Sequence, residues 1–185
     1  MKLFRCYLSQ WAVGLLFVTA GHANASDFGC KVLLCLANPA SNGGPQGVSE
    51  CVEPIRRLYR DLALGQPFPV CADAQETGNR AMPVYDPFDP CPTPLRPANR
   101  GEHMVQGRKV SGWGHWGYST KGSPQPGVTQ DKRACVGVPV GEYQVGGQDN
   151  GYLVTVYAEI VWQKAQSPRA IDIFLDNTWY QRVHW

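Results

Sequence analysis

The stretch "CKVLLCLANP", Cys30 to Pro39, sets two cysteines five residues apart in an apolar run that a proline ends. Read as a helix with Ser26 or Asp27 as N-cap and Asn38-Pro39 as its stop, it carries Val32, Leu33, Leu34 and Leu36 toward a core. On such a helix Cys30 and Cys35 differ by about 140° around the axis and by about 7.5 Å along it. Side chains placed so cannot close a disulfide with each other. Each cysteine needs a different partner.

The neighbouring segment "SECVEPIRRLYRDLALG" supplies one. Cys51, Ile55, Leu58 and Leu62 recur at spacings of four, three and four, a single helical stripe with Cys51 on its buried side. Pro54 has no amide hydrogen and belongs in a first turn, which starts this helix near Glu50 or Cys51. Gly65 is its expected C-terminal cap. Two short helices joined by "NPASNGGPQGVS" pack antiparallel, bringing the end of the first beside the start of the second. That pairs Cys35 with Cys51 and sets Cys30 near the chain leaving the second helix, at Cys71. Cys91 and Cys135 pair by elimination, pinning a proline-rich segment to the start of the sheet.

The cysteines could instead hold a metal, carry a lipid or form a redox pair. Zinc and redox sites both favour C-x-x-C spacing, which the chain lacks. A lipid anchor requires the cysteine directly after a leader, whereas Cys30 follows "SDFG". His103, His115 and His184 are scattered, so no metal and no cofactor is expected.

The chain opens "MKLFRCYLSQWAVGLLFVTAGHANA": two cationic residues, an apolar run, then small residues, the layout of a secretory leader with cleavage expected after Ala25. The leader is 1–25 and the remaining 26–185 form one domain. The leader takes Lys2, Arg5 and Cys6 with it, so the 17 basic residues and seven cysteines of the chain fall to 15 and six, against 15 acidic residues. An even cysteine count in an exported chain reads as three disulfides made in an oxidising compartment such as the periplasm. Balanced charge gives no long-range pull toward nucleic acid or membrane, and Arg56, Arg57 and Arg60 read as a solvated helix face. No later segment is long and apolar enough to span a bilayer.

The domain divides by composition into a helical hairpin over 26–71, an irregular Pro/Gly-rich middle over 72–133 and a β-sheet over 134–185. "YLVTVYAEIVWQK", 152–164, alternates: Tyr152, Val154, Val156, Ala158, Ile160 and Trp162 on one face, Thr155, Glu159 and Gln163 on the other. Asn150-Gly151 offers a turn from a shorter strand around Tyr143 to Val145, and Asp176-Asn177 another between Ile171–Leu175 and Trp179–Trp185. The fold class is therefore α+β: a disulfide-stapled N-terminal helical hairpin, an irregular middle and a C-terminal antiparallel meander of three to four strands.

For chemistry, Glu50 and Glu53 sit at a helix start, where the dipole favours negative charge. Asp86 and Asp89 in "DPFDP" occupy turn contexts. No Ser-His-Asp arrangement, phosphate loop or G-x-S-x-G is present, so no catalytic residue is assigned and the chain reads as a non-enzyme. "GWGHWGY" brings Trp113, His115, Trp116 and Tyr118 together, either as a loop covering the core or as an interaction surface for protein or glycan.

"CKVLLCLANP" followed by "SECVEPIRRLYRDLALGQPFPVC" resembles the TrbM/KikA family of conjugal transfer proteins, whose pattern is Cys…Leu-Leu-Cys-Leu, then Glu-Cys-x-x-Pro, then a later cysteine. The likeness covers about Gly29 to Cys71. It implies a periplasmic accessory or structural protein of a plasmid or integrative element, serving a type IV secretion system in mating-pair formation through contacts with other transfer proteins. Only Cys30, Cys35, Cys51 and Cys71 carry over, as framework positions. The competing class is an exported peptidoglycan-acting enzyme or wall-binding module that assists channel assembly.

Overall fold

The computed structural model describes residues 23–112, 115–147 and 150–185. The expected leader, 1–22 in large part, lies outside the described residues. Helix α1 runs Ala23–Leu36, α2 Ser49–Ala63, and a short α3 Ala72–Glu76. The strands are β1 (Arg80–Tyr85), β2 (Arg96–Pro97), β3 (His103–Gly112), β4 (His115–Pro126), β5 (Lys132–Val136), β6 (Pro139–Val145), β7 (Tyr152–Tyr157), β8 (Ile160–Lys164), β9 (Arg169–Leu175) and β10 (Thr178–His184). The fold is α+β, mostly strands.

Helix α1 already includes Ala23–Ala25, the first described residues, so Ser26 and Asp27 are helical rather than capping. The reason is continuity: a helix that is not cut at Ala25 propagates through alanines, which are the best helix formers. The expected packing of α1 on α2 is present. Ile55 and Leu58 are fully buried against Val32, Leu33 and Leu36, with Cys51 and Leu62 partly buried beside them. Leu34 departs from expectation, 75 % exposed, because a period of 3.6 cannot turn every residue of an apolar run to one side.

Pro54 is the sixth residue of α2 and not in its first turn, so its ring withholds the donor that the Glu50 carbonyl would otherwise receive. The helix stops as expected near Gly65, which takes φ +74°. The Gly65 amide donates to Leu62 and the Gln66 amide to Asp61, the paired bonds of a Schellman cap.

Cys30–Cys71, Cys35–Cys51 and Cys91–Cys135 are disulfide-bonded, with Cα–Cα separations of 4.4, 5.4 and 5.6 Å. The first draws α1 so close to the returning chain that a Cβ on Gly29 would lie 2.2 Å from the Val70 carbonyl oxygen. Only glycine permits this approach.

Three small sheets follow, ordered β1-β9-β10, β2-β5-β8 and β4-β3-β7-β6. The middle of the chain is less irregular than its composition suggests, since β1 to β4 all lie within 72–133. β1, β2 and β3 are each completed by a partner distant in sequence, whereas β4 pairs, among the described residues, with the adjacent β3 alone. β1 pairs with β9 from Arg80↔Phe174 to Tyr85↔Arg169, and Ile171 and Ile173 of β9 bury against the helical hairpin. β5 pairs with β2 and β8, placing Ala134 and Val136 on Met104 and Tyr157. β3 pairs parallel with β7 from His103↔Val154 to Gln106↔Tyr157. Val105, Val154 and Val156 bury on the other face of that sheet.

The C-terminal strands are antiparallel but distributed among the sheets rather than joined in one meander. The period-two run 152–164 breaks at Ala158-Glu159, where the chain leaves β7's sheet and enters β8's. Both faces of β7 are covered, so Thr155 is buried as well as Val154, donating toward Glu142 at 3.5 Å. Asp176-Asn177 does turn β9 into β10, with φ of 49° and 62°. The β6–β7 loop spans 146–151, longer than the Asn150-Gly151 turn expected, and its residues 148 and 149 lie outside the described residues.

Candidate interaction surface

β3 and β4 form the longest hairpin of the molecule. Its root, up to Gln106, lies in the four-stranded sheet, because β7 pairs β3 only over His103–Gln106. Beyond that point β3 and β4 pair, among the described residues, only with each other, from Gln106↔Lys121 to Gly112↔His115, as a two-stranded ribbon. The Gln106 amide anchors the root by donating to the Ala158 carbonyl at 3.0 Å. A register shift between Met104 and Gln106 marks the junction, a bulge that interrupts the β3–β4 ladder there.

Alternation divides the ribbon's side chains. Gln106, Arg108 and Val110 share a face with Lys121, Ser119 and Gly117. Lys109 and Tyr118 lie on the other. Tyr118 packs on Val105, Val154 and Val156 and stacks with Tyr143 at 6.0 Å between centroids. Its role is therefore to cover the core. Trp113 lies outside the described residues; His115 and Trp116 begin β4.

The first face is cationic. From His103 to Gln130 the sequence has Arg108, Lys109 and Lys121 and no Asp or Glu. Arg108 and Lys121 are exposed, and neither has an ion-pair partner among the described residues. They line a shallow hollow of about 230 Å³ with Gln106, Ser119 and Ala158. The cluster on α2 is different: Arg56 pairs with Glu53 at 2.5 Å, and Arg57 and Arg60 with Asp61 at 3.3 and 3.4 Å. Each of those arginines has a carboxylate beside it, Arg57 and Arg60 sharing Asp61, as on a solvated helix face. Composition alone does not separate the two clusters, although the absence of acids over 103–130 is a legible signal.

The carboxylates weighed for catalysis are accounted for otherwise. Glu50 is fully exposed at the start of α2, and backbone and Ser49 hydrogen bonds hold its carboxyl below the usual range. Asp86 accepts the Phe88 amide at 3.0 Å, the turn expected of it. It also receives Arg182 at 3.0 Å and Arg133 at 3.5 Å. Burial pushes its carboxyl up, but the Phe88 amide and the two guanidiniums together outweigh that and hold it low. Asp89 accepts from His184 at 3.1 Å and from Gln166 at 2.9 Å. Asp86 and Arg133 edge an open cleft of about 880 Å³ walled by Phe88, Pro97 and Arg100. Asp86 is therefore kept ionised between two arginines and is not a proton donor to that cleft.

A second buried polar group joins the sheets. Tyr157 donates to Glu102 and receives Arg96 at 2.8 Å. Burial, then the bond to Glu102, pushes its phenol up to about 12. No set of three or more His, Cys, Asp or Glu side chains that would hold a metal occurs among the described residues. No described helix is long and apolar enough to cross a membrane.

Fold and surface together define a disulfide-stapled α+β protein with a basic two-stranded ribbon. No family model, no curated protein and no solved structure matches the chain.

Proposed function

We propose that the chain is an exported, periplasmic accessory or structural protein of a conjugative DNA-transfer apparatus, a type IV secretion system, acting through contacts with other protein components. The observation that carries the contact reading is the ribbon: two exposed cations, Arg108 and Lys121, without acidic partners among the described residues, on the part of the β3–β4 hairpin that lies beyond the β7 ladder. Charges arranged this way steer and orient partners. Three disulfides support an oxidising compartment. Assignment to conjugative transfer is supported by the likeness of Gly29–Cys71 to the TrbM/KikA pattern, whose four cysteines form the two bonds of the helical hairpin.

Crosslinking in mating cells, followed by identification of the attached protein, tests this. A transfer-apparatus component is expected. A cleared band in a peptidoglycan zymogram that disappears on Glu50→Gln or Glu53→Gln substitution would overturn it in favour of a wall enzyme.

A further inference from the structure

β4 is an edge strand. Its sheet runs β4-β3-β7-β6, and no strand pairs the outer side of β4 among the described residues. Long edges invite strand addition, and proteins usually blunt them with proline, bulges or covering loops. Here the blunting is confined to one end, at the Gly122–Ser123 bulge and at Pro124 and Pro126. The stretch Gly117–Lys121 has neither proline nor cover, and Ser119, Thr120 and Lys121 are exposed.

We infer that the outer edge of β4 over Gly117–Lys121 takes an extended acidic segment of a partner protein as an added antiparallel strand. This deepens the protein-contact reading above and rests on it. A polypeptide is the occupant the geometry favours. A strand edge offers alternating backbone donors and acceptors, which another strand satisfies and a lipid or nucleic acid backbone does not.

The side chains specify the pattern. Lys121, Ser119 and Gly117 share one face of β4, with Gln106, Arg108 and Val110 behind them on β3. A carboxylate set opposite Lys121 meets that ammonium directly. One set opposite Ser119 finds a short hydroxyl, over which Arg108 reaches from the next strand. A residue opposite Gly117 meets no side chain on β4, since a Cβ there would have nothing within 4 Å, and the exposed side chain that follows on the same face is the apolar Val110 of β3 rather than a cation. The recognised segment therefore reads acid-x-acid-x-apolar from N to C, the direction that antiparallel addition requires. Alternation is essential, because only every second residue of a strand shares a face.

The probe is a fluorescent peptide, Thr-Glu-Thr-Glu-Thr-Val-Thr, with binding to the disulfide-intact protein read by anisotropy. Saturable, salt-weakened binding is expected, with slowed amide exchange confined to β4 within the sheet. The scrambled peptide Thr-Glu-Glu-Val-Thr-Thr-Thr should bind weakly. Arg108→Glu with Lys121→Glu should weaken the acidic peptide at least roughly tenfold and confer binding of Thr-Lys-Thr-Lys-Thr-Val-Thr, as expected when rim charges set partner choice. Both positions are exposed, and an unchanged circular dichroism spectrum confirms folding. The inference is overturned if wild type ignores the acidic peptide, if scrambling or charge reversal leaves affinity unchanged, or if oligothymidylate or phosphatidylglycerol vesicles bind the ribbon more tightly. Should the doubly reversed protein still crosslink its usual partner in mating cells, the β4 edge falls and the protein-contact reading stands. A wild-type chain that crosslinks to no protein removes both.

Discussion

Arg182→Met tests the polar junction between the helix-bearing sheet and the rest of the molecule. Arg182 sits in the middle of β10 opposite Asp172, its side chain only 8 % exposed. Its Nε donates to Asp172 Oδ1 at 2.7 Å and its Nη2 to Oδ2 at 2.9 Å, a two-pronged pair. Its Nη1 reaches Asp86 at 3.0 Å and the Phe88 carbonyl at 2.5 Å, and Asp172 with Asp86 raises its affinity for its proton above the ordinary guanidinium range. Methionine fills most of the volume and deletes every one of these bonds. Asp86 keeps Arg133 and the Phe88 amide, but Asp172, in a side chain 12 % exposed, keeps only the Trp179 indole at 3.3 Å. A buried carboxylate stripped of its partner costs about 3–5 kcal/mol. With a urea slope of about 2 kcal/mol/M, that lowers the unfolding midpoint by roughly 2 M.

Two companions make the origin of the loss readable. Asp172→Asn in the Arg182→Met background removes the orphaned charge and should recover at least about half the loss, because a neutral amide costs less to bury. Arg133→Met should cost only about 1–2 kcal/mol, since Arg133 bonds chiefly to the neutral Gln163 side chain and Asp89 carbonyl, and Asp86 retains Arg182. The reasoning fails if Arg182→Met lies within about 1 kcal/mol of wild type, if the second substitution recovers nothing, or if the two arginine variants are equal.

Other predictions follow from single contacts. Gly29→Ala, which in an ordinary helix interior stabilises by about 0.5–1 kcal/mol, should destabilise here by about 1–3 kcal/mol in urea unfolding, because the new methyl meets the backbone carbonyl of Val70. Replacing both cysteines of Cys91–Cys135 by alanine should cost about 4 kcal/mol, and of Cys35–Cys51 about 3 kcal/mol, since the bonds close loops of 44 and 16 residues and the longer loop has more freedom to lose. Equal losses would remove the loop-entropy explanation. The Tyr157 phenol titrates higher in the folded chain than its ordinary value of 10, so its contribution is complete below pH 10 and disappears as pH rises toward about 12. Urea midpoints measured across that window should fall less steeply for Tyr157→Phe than for wild type.

Much of this molecule was readable from local pattern. Helical geometry forbade a bond between Cys30 and Cys35, the stripe from Cys51 to Leu62 set the buried face of α2, and proximity at the ends of an antiparallel pair then left one natural partner for each cysteine. The turn at Asp176-Asn177 was equally local, two residues that tolerate positive φ between two strands. The acid-free run from His103 to Gln130 was also present in the sequence, in contrast to α2, where Glu53 and Asp61 stand among the arginines, but not its place on a sheet edge.

What the tertiary structure decided was which strands meet. Pro- and Gly-rich composition over 72–133 suppressed the strand signal, and β1 and β2 acquire their conformation from β9 and β5, partners far along the chain. The run 152–164 carries one uninterrupted alternation, yet it serves two sheets, because the bend at Ala158-Glu159 is imposed by packing against β5 and not by its own residues. Arg182, Asp172 and Asp86 could not be joined by inspection, with 96 residues separating the ends of that network. Period and local sterics determine an element and its buried face. The pairing of distant elements depends on desolvation and hydrogen bonding summed over the whole fold, and in this chain that sum left the edge of β4, with Lys121 on it and Arg108 behind it on β3, facing solvent.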